Sequence, residues 1–260
     1  ETDIVIGTHA VLQDDVRFKN LGLIVTDEQH RFGVEQRTKL SQRGSNPHML
    51  VMSATPIPRT MSLIFYGDLD ISVIDSLPNG RQPIETYLIG PDKRSRAYAY
   101  IKKHIDDGRQ GYIICPAVEE NEKIDLAAAT EYYENLKTGE FKDYRLGLLH
   151  GKMKPKEKDA VMSEFAAGNI DLLISTTVVE VGVDVPNAVI MLIENAERFG
   201  LSQLHQLRGR IGRGRHRSTC ILLSSVTGGD TGRRLKFLCS TTDGFKVADE
   251  DLRQRGPGDF

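Results

Sequence analysis

The chain has 260 residues, 34 of them basic and 36 acidic, for a net charge of −2; 39% are hydrophobic and 27% charged. These values exclude wholesale disorder and collagen-like repeats and leave room for two domains, each with its own core. The longest apolar run, Ala188–Ile193, has six residues, far short of the ~20 that a spanning helix needs, so no segment is expected to cross a membrane.

Glu1-Thr2-Asp3 leads directly into the strand-like Ile4-Val5-Ile6, with no initiator methionine and no charged-then-apolar leader, which reads as a piece of a longer polypeptide. Leu21–Val25, Met49–Met52 and Ile71–Ile74 follow as predicted strands. Ser76–Pro83 holds two prolines and a glycine without apolar periodicity and reads as a linker. Beyond it, predicted helices (93–107, 126–137, 155–167, 201–208 and 233–239) alternate with predicted strands (112–115, 146–149, 172–174, 189–193 and 219–223). These strands are apolar throughout, as expected of strands covered on both faces. Pro155 suits a first helical turn and Gly168 a helix stop. The alternation predicts an α/β fold with parallel sheets.

Cys115, Cys220 and Cys239 are far apart, without a CxxC pair, and read as reduced thiols of a cytoplasmic protein. The histidines show no ligand spacing that would hold a structural zinc.

Chemistry gathers where predicted strands end. Leu23-Ile-Val-Thr leads into Asp27-Glu28-Gln29-His30. At the carboxyl edge of a parallel sheet, one carboxylate can hold a hydrated Mg²⁺ and the next can orient or deprotonate a water attacking a γ-phosphate. Taken alone, the same residues also suit an acidic strand-to-loop turn. Ser53-Ala54-Thr55-Pro56 follows the next strand; its hydroxyls could relay the state of the acidic site, or simply form a turn set by Pro56 and Pro58.

Arg208, Arg210, Arg213, Arg215 and Arg217 fall within ten residues, interleaved with glycines and no acid. Guanidinium forks bind phosphate bidentately and glycines admit a close backbone approach. Such arginines serve a transferring phosphoryl group, a nucleic-acid backbone, or both. Ser175-Thr176-Thr177 and Gly182-Val-Asp184 end another strand; hydroxyls there can hold a backbone phosphate and Asp184 can accept from a ribose hydroxyl, or the stretch is a β-turn with an acid cap. Gly7-Thr8-His9 and His150-Gly151-Lys152 are lesser versions of the same arrangement. No GxxxxGK[ST] phosphate loop is present; Gly228–Gly232 has the wrong spacing and no lysine.

In this order the motifs resemble a superfamily-two helicase motor, and most closely the RecG family of branched-DNA helicases. Asp27–Val34 resembles that family's DExH box, Ser53–Thr60 its coupling motif, Gln206–Arg213 its QxxGRxGR motif, and Asp249–Asp259 the start of its translocation motif. The resemblance implies two RecA-like parallel-sheet domains, the first incomplete because its phosphate-loop part is missing, plus a short C-terminal helical extension. The implied borders are 1–75 for the first domain, 76–92 for the linker, 93–225 for the second domain and 226–260 for the extension.

By the same resemblance, ATP and Mg²⁺ are the cofactors and the two domains close on the nucleotide. Asp27 would coordinate Mg²⁺ through water and Glu28 would activate the attacking water. Arg210 and Arg213 would reach the γ-phosphate, Gln206 would sense it, and Gly182 and Asp184 would lie near the nucleotide. Gln29, His30, Ser53 and Thr55 would couple the cycle to DNA. Thr8, His9, His150, Thr176 and Thr177 would face the backbone of branched or duplex DNA. A cytoplasmic monomer acting at stalled forks and Holliday junctions is the expectation. The fragment alone is expected to lack ATPase activity, and residues 1–75 to be poorly stable because their sheet lacks its middle strand. The rivals are a motor fragment of a transcription-repair coupling translocase and a non-catalytic nucleic-acid-binding module.

Overall fold

The computed structural model describes residues 2–13, 16–27, 47–53, 70–74, 76, 81–116, 122–176 and 184–255. The chain divides into two compact units, Glu1–Pro56 and Ile57–Phe260.

In the first unit, β1 (Leu23–Thr26) and β2 (His48–Val51) pair in parallel, with Leu23 opposite His48 and Thr26 opposite Val51. Ile24 and Thr26 are buried, whereas Leu23, Val25 and Leu50 stand 50–59% exposed on the opposite face. Ile4–Ile6 and Ile71–Ile74, expected as strands, are not strands: Ile6 and Ile74 are more than 90% exposed and no described strand pairs with either segment. Apolar, β-branched composition favours extended backbone, but a strand exists only when a ladder partner fixes it.

The second unit is built on a six-stranded, all-parallel sheet. Its strands are β3 (Ile84–Ile89), β4 (Gln110–Cys115), β5 (Leu146–Leu149), β6 (Leu172–Thr176), β7 (Ala188–Ile193) and β8 (Ser218–Leu223), in the spatial order β3-β8-β7-β4-β6-β5. The expectation of a linker over 76–92 therefore fails for residues 84–89, which form an edge strand. An edge strand is half-buried, so Ile84-Glu85-Thr86-Tyr87 alternates instead of reading as an apolar run.

The helices are α1 (Arg94–Asp106), α2 (Glu122–Thr138), α3 (Pro155–Ala166), α4 (Leu201–Arg208), α5 (Gly229–Ser240) and α6 (Gly244–Arg255). α3 begins on Pro155 and stops before Gly168, whose φ of +80° suits only glycine without strain. Asp243 caps α6: its Oδ1 accepts from the Phe245 N–H at 2.9 Å.

Successive residues of the central strands enter opposite cores. Tyr112, Leu173, Met191, Ile193 and Leu222 join one face with Phe165, Leu204 and Leu235. Ile113, Leu172, Ile174, Ile190, Leu192 and Ile221 join the other with Tyr98, Ile101 and Phe141. Each fully buried aliphatic or aromatic side chain contributes about 1.5–3 kcal/mol of transfer free energy, so both layers of helices are needed to hold the sheet.

Candidate functional site

Because all strands of a parallel sheet end at one edge, β1 and β2 deliver Asp27 and Ser53 to the same edge of the first unit. Asp27 directly follows Thr26, Ser53 lies just past Val51, and both are exposed. Thr8 is exposed and precedes a 3₁₀ turn over His9–Leu12. Glu28, Gln29, His30, Thr55, Thr177 and Gly182 lie outside the described residues.

In the second unit the arginine loop grows out of α4. Leu201, Leu204, Leu207 and Arg208 line its buried face, leaving Gln206 exposed. Ile211 is fully buried and anchors the loop between Arg210 and Arg213. Gly212, at φ +72°, turns the chain there. Arg213 Nε donates to the Gly209 carbonyl at 3.1 Å, and its Nη1 stands 3.6 Å from Asp184 Oδ1. Arg210, Arg213 and Asp184 share one neighbourhood, since all three act on the Tyr112 phenol, which burial pushes up and the two guanidiniums pull down.

The Arg213–Asp184 pair is long, and Asp184 is 54% exposed. Such a pair contributes at most about 1 kcal/mol, so Arg213 can exchange Asp184 for a phosphate at little cost. Two guanidiniums on a short glycine loop fit a polyphosphate, and an exposed carboxylate at a strand end fits a hydrated Mg²⁺. Among the described residues no three His, Cys, Asp or Glu side chains converge.

Arg208, in the same cluster, has a different role. It is 2% exposed. Its Nη1 donates to the carbonyls of Leu238 and Thr241, each at 2.8 Å, and its Nη2 lies 3.0 Å from His205 Nδ1. Those carbonyls end α5, so Arg208 fastens α4 to the C-terminal helices. Arg215 and Arg217 are exposed. His150, just past β5, is half-buried; burial and then Lys158 push its pKa down. Thr176, the last residue of β6, is 6% exposed.

Sequence reasoning missed a second charged cluster. Glu194, 4% exposed, directly follows β7. It accepts from Arg94 Nη1 at 2.6 Å and from the Tyr132 hydroxyl at 2.7 Å, and the Tyr132 and Tyr98 hydroxyls are 2.8 Å apart. An acid placed directly after an apolar strand is the same signal that marked Asp27. Burial pushes the Cys115 and Cys220 thiols up to about 12, and Cys115, Cys220 and Cys239 are unpaired.

Residues 1–64 match the DEAD/DEAH box helicase family and residues 92–215 the helicase conserved C-terminal domain. Fold and matches together define parallel-sheet domains of the RecA-like helicase class. Over all 260 residues the chain is 52% identical to the ATP-dependent DNA helicase RecG of Thermotoga maritima and 52% identical to that of Bacillus subtilis, covering 33% and 38% of those proteins. A solved structure of RecG bound to a three-way DNA junction superposes with a TM-score of 0.81 at 50% identity, over 98% of this chain and 33% of that one. The chain belongs to the RecG family and spans about a third of the length of these relatives. No helix among the described residues is long and apolar enough to cross a membrane.

Proposed function

We propose that this chain is the motor part of a cytoplasmic, monomeric ATP-dependent DNA helicase that remodels branched DNA. The observation that carries the reading is the loop holding Arg210 and Arg213 beside Asp184, in a chain half-identical throughout to RecG helicases. Residues 1–75 and 84–225 are the two motor domains, and 226–260 begins the translocation element. The connecting segment shortens to 76–83, because β3 belongs to the second sheet.

Mg²⁺ supplies charge neutralisation on the nucleotide phosphates. Asp27 holds it through water, and Glu28 orients and deprotonates the attacking water. Arg210 and Arg213 neutralise charge on the transferring phosphoryl group, Gln206 reads its presence, and Gly182 and Asp184 back the nucleotide. Gln29, His30, Ser53 and Thr55 link that state to DNA grip. Thr8, His9, His150, Thr176 and Thr177 hold backbone phosphates without reading sequence. Because the net charge is −2, the DNA footprint is local. The junction-bound relative supports branched DNA as substrate.

The test is DNA-stimulated ATP turnover by the protein expressed from its complete coding sequence. Arg213→Ala is expected to lower kcat about a thousandfold or more while DNA binding persists. Junction binding that is indifferent to ATP, with no turnover, would instead support a non-catalytic module and defeat this reading.

A further inference from the structure

Arg81 lies far from the arginine loop in sequence, three residues before β3 begins. Its Nε nevertheless donates to the Gly212 carbonyl at 3.0 Å, in a partly buried setting. Around this bond the two segments are closely fitted. Ile84 pairs with Ser218 at the start of the β3–β8 ladder. A Cβ built on Gly212 would stand 2.7 Å from Ile84 Cγ1, so only glycine lets the loop approach. Gly212 is itself at φ +72°.

The Gly212 carbonyl and the Arg213 N–H belong to one planar peptide, so holding the oxygen fixes the plane from which the Arg213 Cα departs. The opposite side of the loop is fixed by buried Ile211 and by Arg213 Nε on the Gly209 carbonyl. The Arg81 bond comes from outside the loop and acts on the peptide next to Arg213.

We propose that Arg81 is a positioning residue for the phosphoryl-transfer site: it clamps the Gly212–Arg213 peptide and so sets the direction in which the Arg213 guanidinium is presented. The proposal rests on the reading of Arg213 as the phosphate-facing arginine. It makes no use of Arg81 as a contact to nucleotide or DNA. Transition-state charge stabilisation depends on placement to within a fraction of an ångström, so a loosened peptide costs turnover more than nucleotide binding.

The experiment is a double-mutant cycle on the protein expressed from its complete coding sequence, measuring kcat and KM for ATP in the presence of branched DNA. Arg81→Met, which keeps the stem and removes the donor, is expected to lower kcat about tenfold and to change KM less than about twofold. Arg81→Lys, which can still donate to the carbonyl, recovers most of the loss. In an Arg213→Ala background Arg81→Met changes kcat by less than about twofold, because the group it positions is gone. Should Arg81→Met not fold, Arg81→Ala takes its place in the cycle. An equal loss in both backgrounds, or no loss in the parent protein, overturns the role given to Arg81. An Arg213→Ala variant with unchanged kcat shows a different failure, that of the phosphate-facing reading itself.

Discussion

Replacing Arg208 by methionine separates the structural arginine from those proposed to serve phosphoryl transfer. The substitution keeps the aliphatic stem in the core but abandons the Leu238 and Thr241 carbonyls, now met at 2.8 Å, and the Thr86 hydroxyl, 3.3 Å away. A hydrogen bond from a charged donor contributes about 1.5–3 kcal/mol net, and the long contact to Thr86 adds less. Removing the guanidinium also removes its own desolvation cost, which burial imposes by pushing its pKa down. The two short bonds therefore set the scale, a loss of about 3–5 kcal/mol. In a unit of this size each kcal/mol moves the melting midpoint by about 2–4 °C, so a fall of roughly 10 °C is expected. Urea unfolding followed by far-UV circular dichroism, with scanning calorimetry beside it, measures both quantities. A loss under about 1 kcal/mol accompanied by a raised KM for ATP would refute the reasoning, because Arg208 would then be spending its charge on nucleotide.

Three further outcomes are expected. Burial, and then the Arg208 guanidinium, hold the His205 pKa down at about 4 against an ordinary 6.5, with Asp243 opposing. The unfolded chain thus takes up a proton that the folded chain refuses, so stability is complete above about pH 6.5 and falls as the pH drops towards 4. His205→Gln should flatten that part of the urea-midpoint profile; an unchanged slope contradicts the assignment. Glu194→Gln, which leaves Arg94 facing a neutral amide, is expected to cost about 1–3 kcal/mol in the same unfolding assay and less than that in an Arg94→Met background. Gly212→Ala combines a left-handed backbone with a Cβ 2.7 Å from Ile84, for a loss of about 2–3 kcal/mol; adding Ile84→Ala should relieve the contact while leaving about 1 kcal/mol of backbone strain.

The central strands were legible because both of their faces are covered. Tyr112–Cys115, Leu172–Ile174 and Val189–Ile193 present apolar side chains to two cores at once, and such runs have few other readings. β3 escaped the same search because, at the sheet edge, it buries only alternate residues. Ile4–Ile6 and Ile71–Ile74 failed in the opposite direction. They have strand composition, but pairing is non-local, and no composition states whether a ladder partner exists.

The arginine cluster shows where motif reading needs periodicity beside it. Counted as charges, Arg208, Arg210 and Arg213 are equivalent, and the glycine spacing recommends all three for phosphate. Counted along α4, they differ. Leu201, Leu204 and Arg208 stand at i, i+3 and i+7, the stripe that a helix turns towards its core, and Arg208 is buried there among carbonyl acceptors. Arg210 and Arg213 fall after the helix has ended, on a loop whose direction Gly212 resets. An arginine in phase with the apolar stripe is therefore committed to packing, whereas Arg210 and Arg213 lie on the loop beyond the last turn. Glu194 follows the same logic on the acidic side: it ends an apolar strand as Asp27 does, yet it is buried with its Oε1 bonded to Arg94 and Tyr132, whereas Asp27 is exposed at its edge. Sequence position selects the candidates, and the partners that the fold supplies decide which of them act on a ligand.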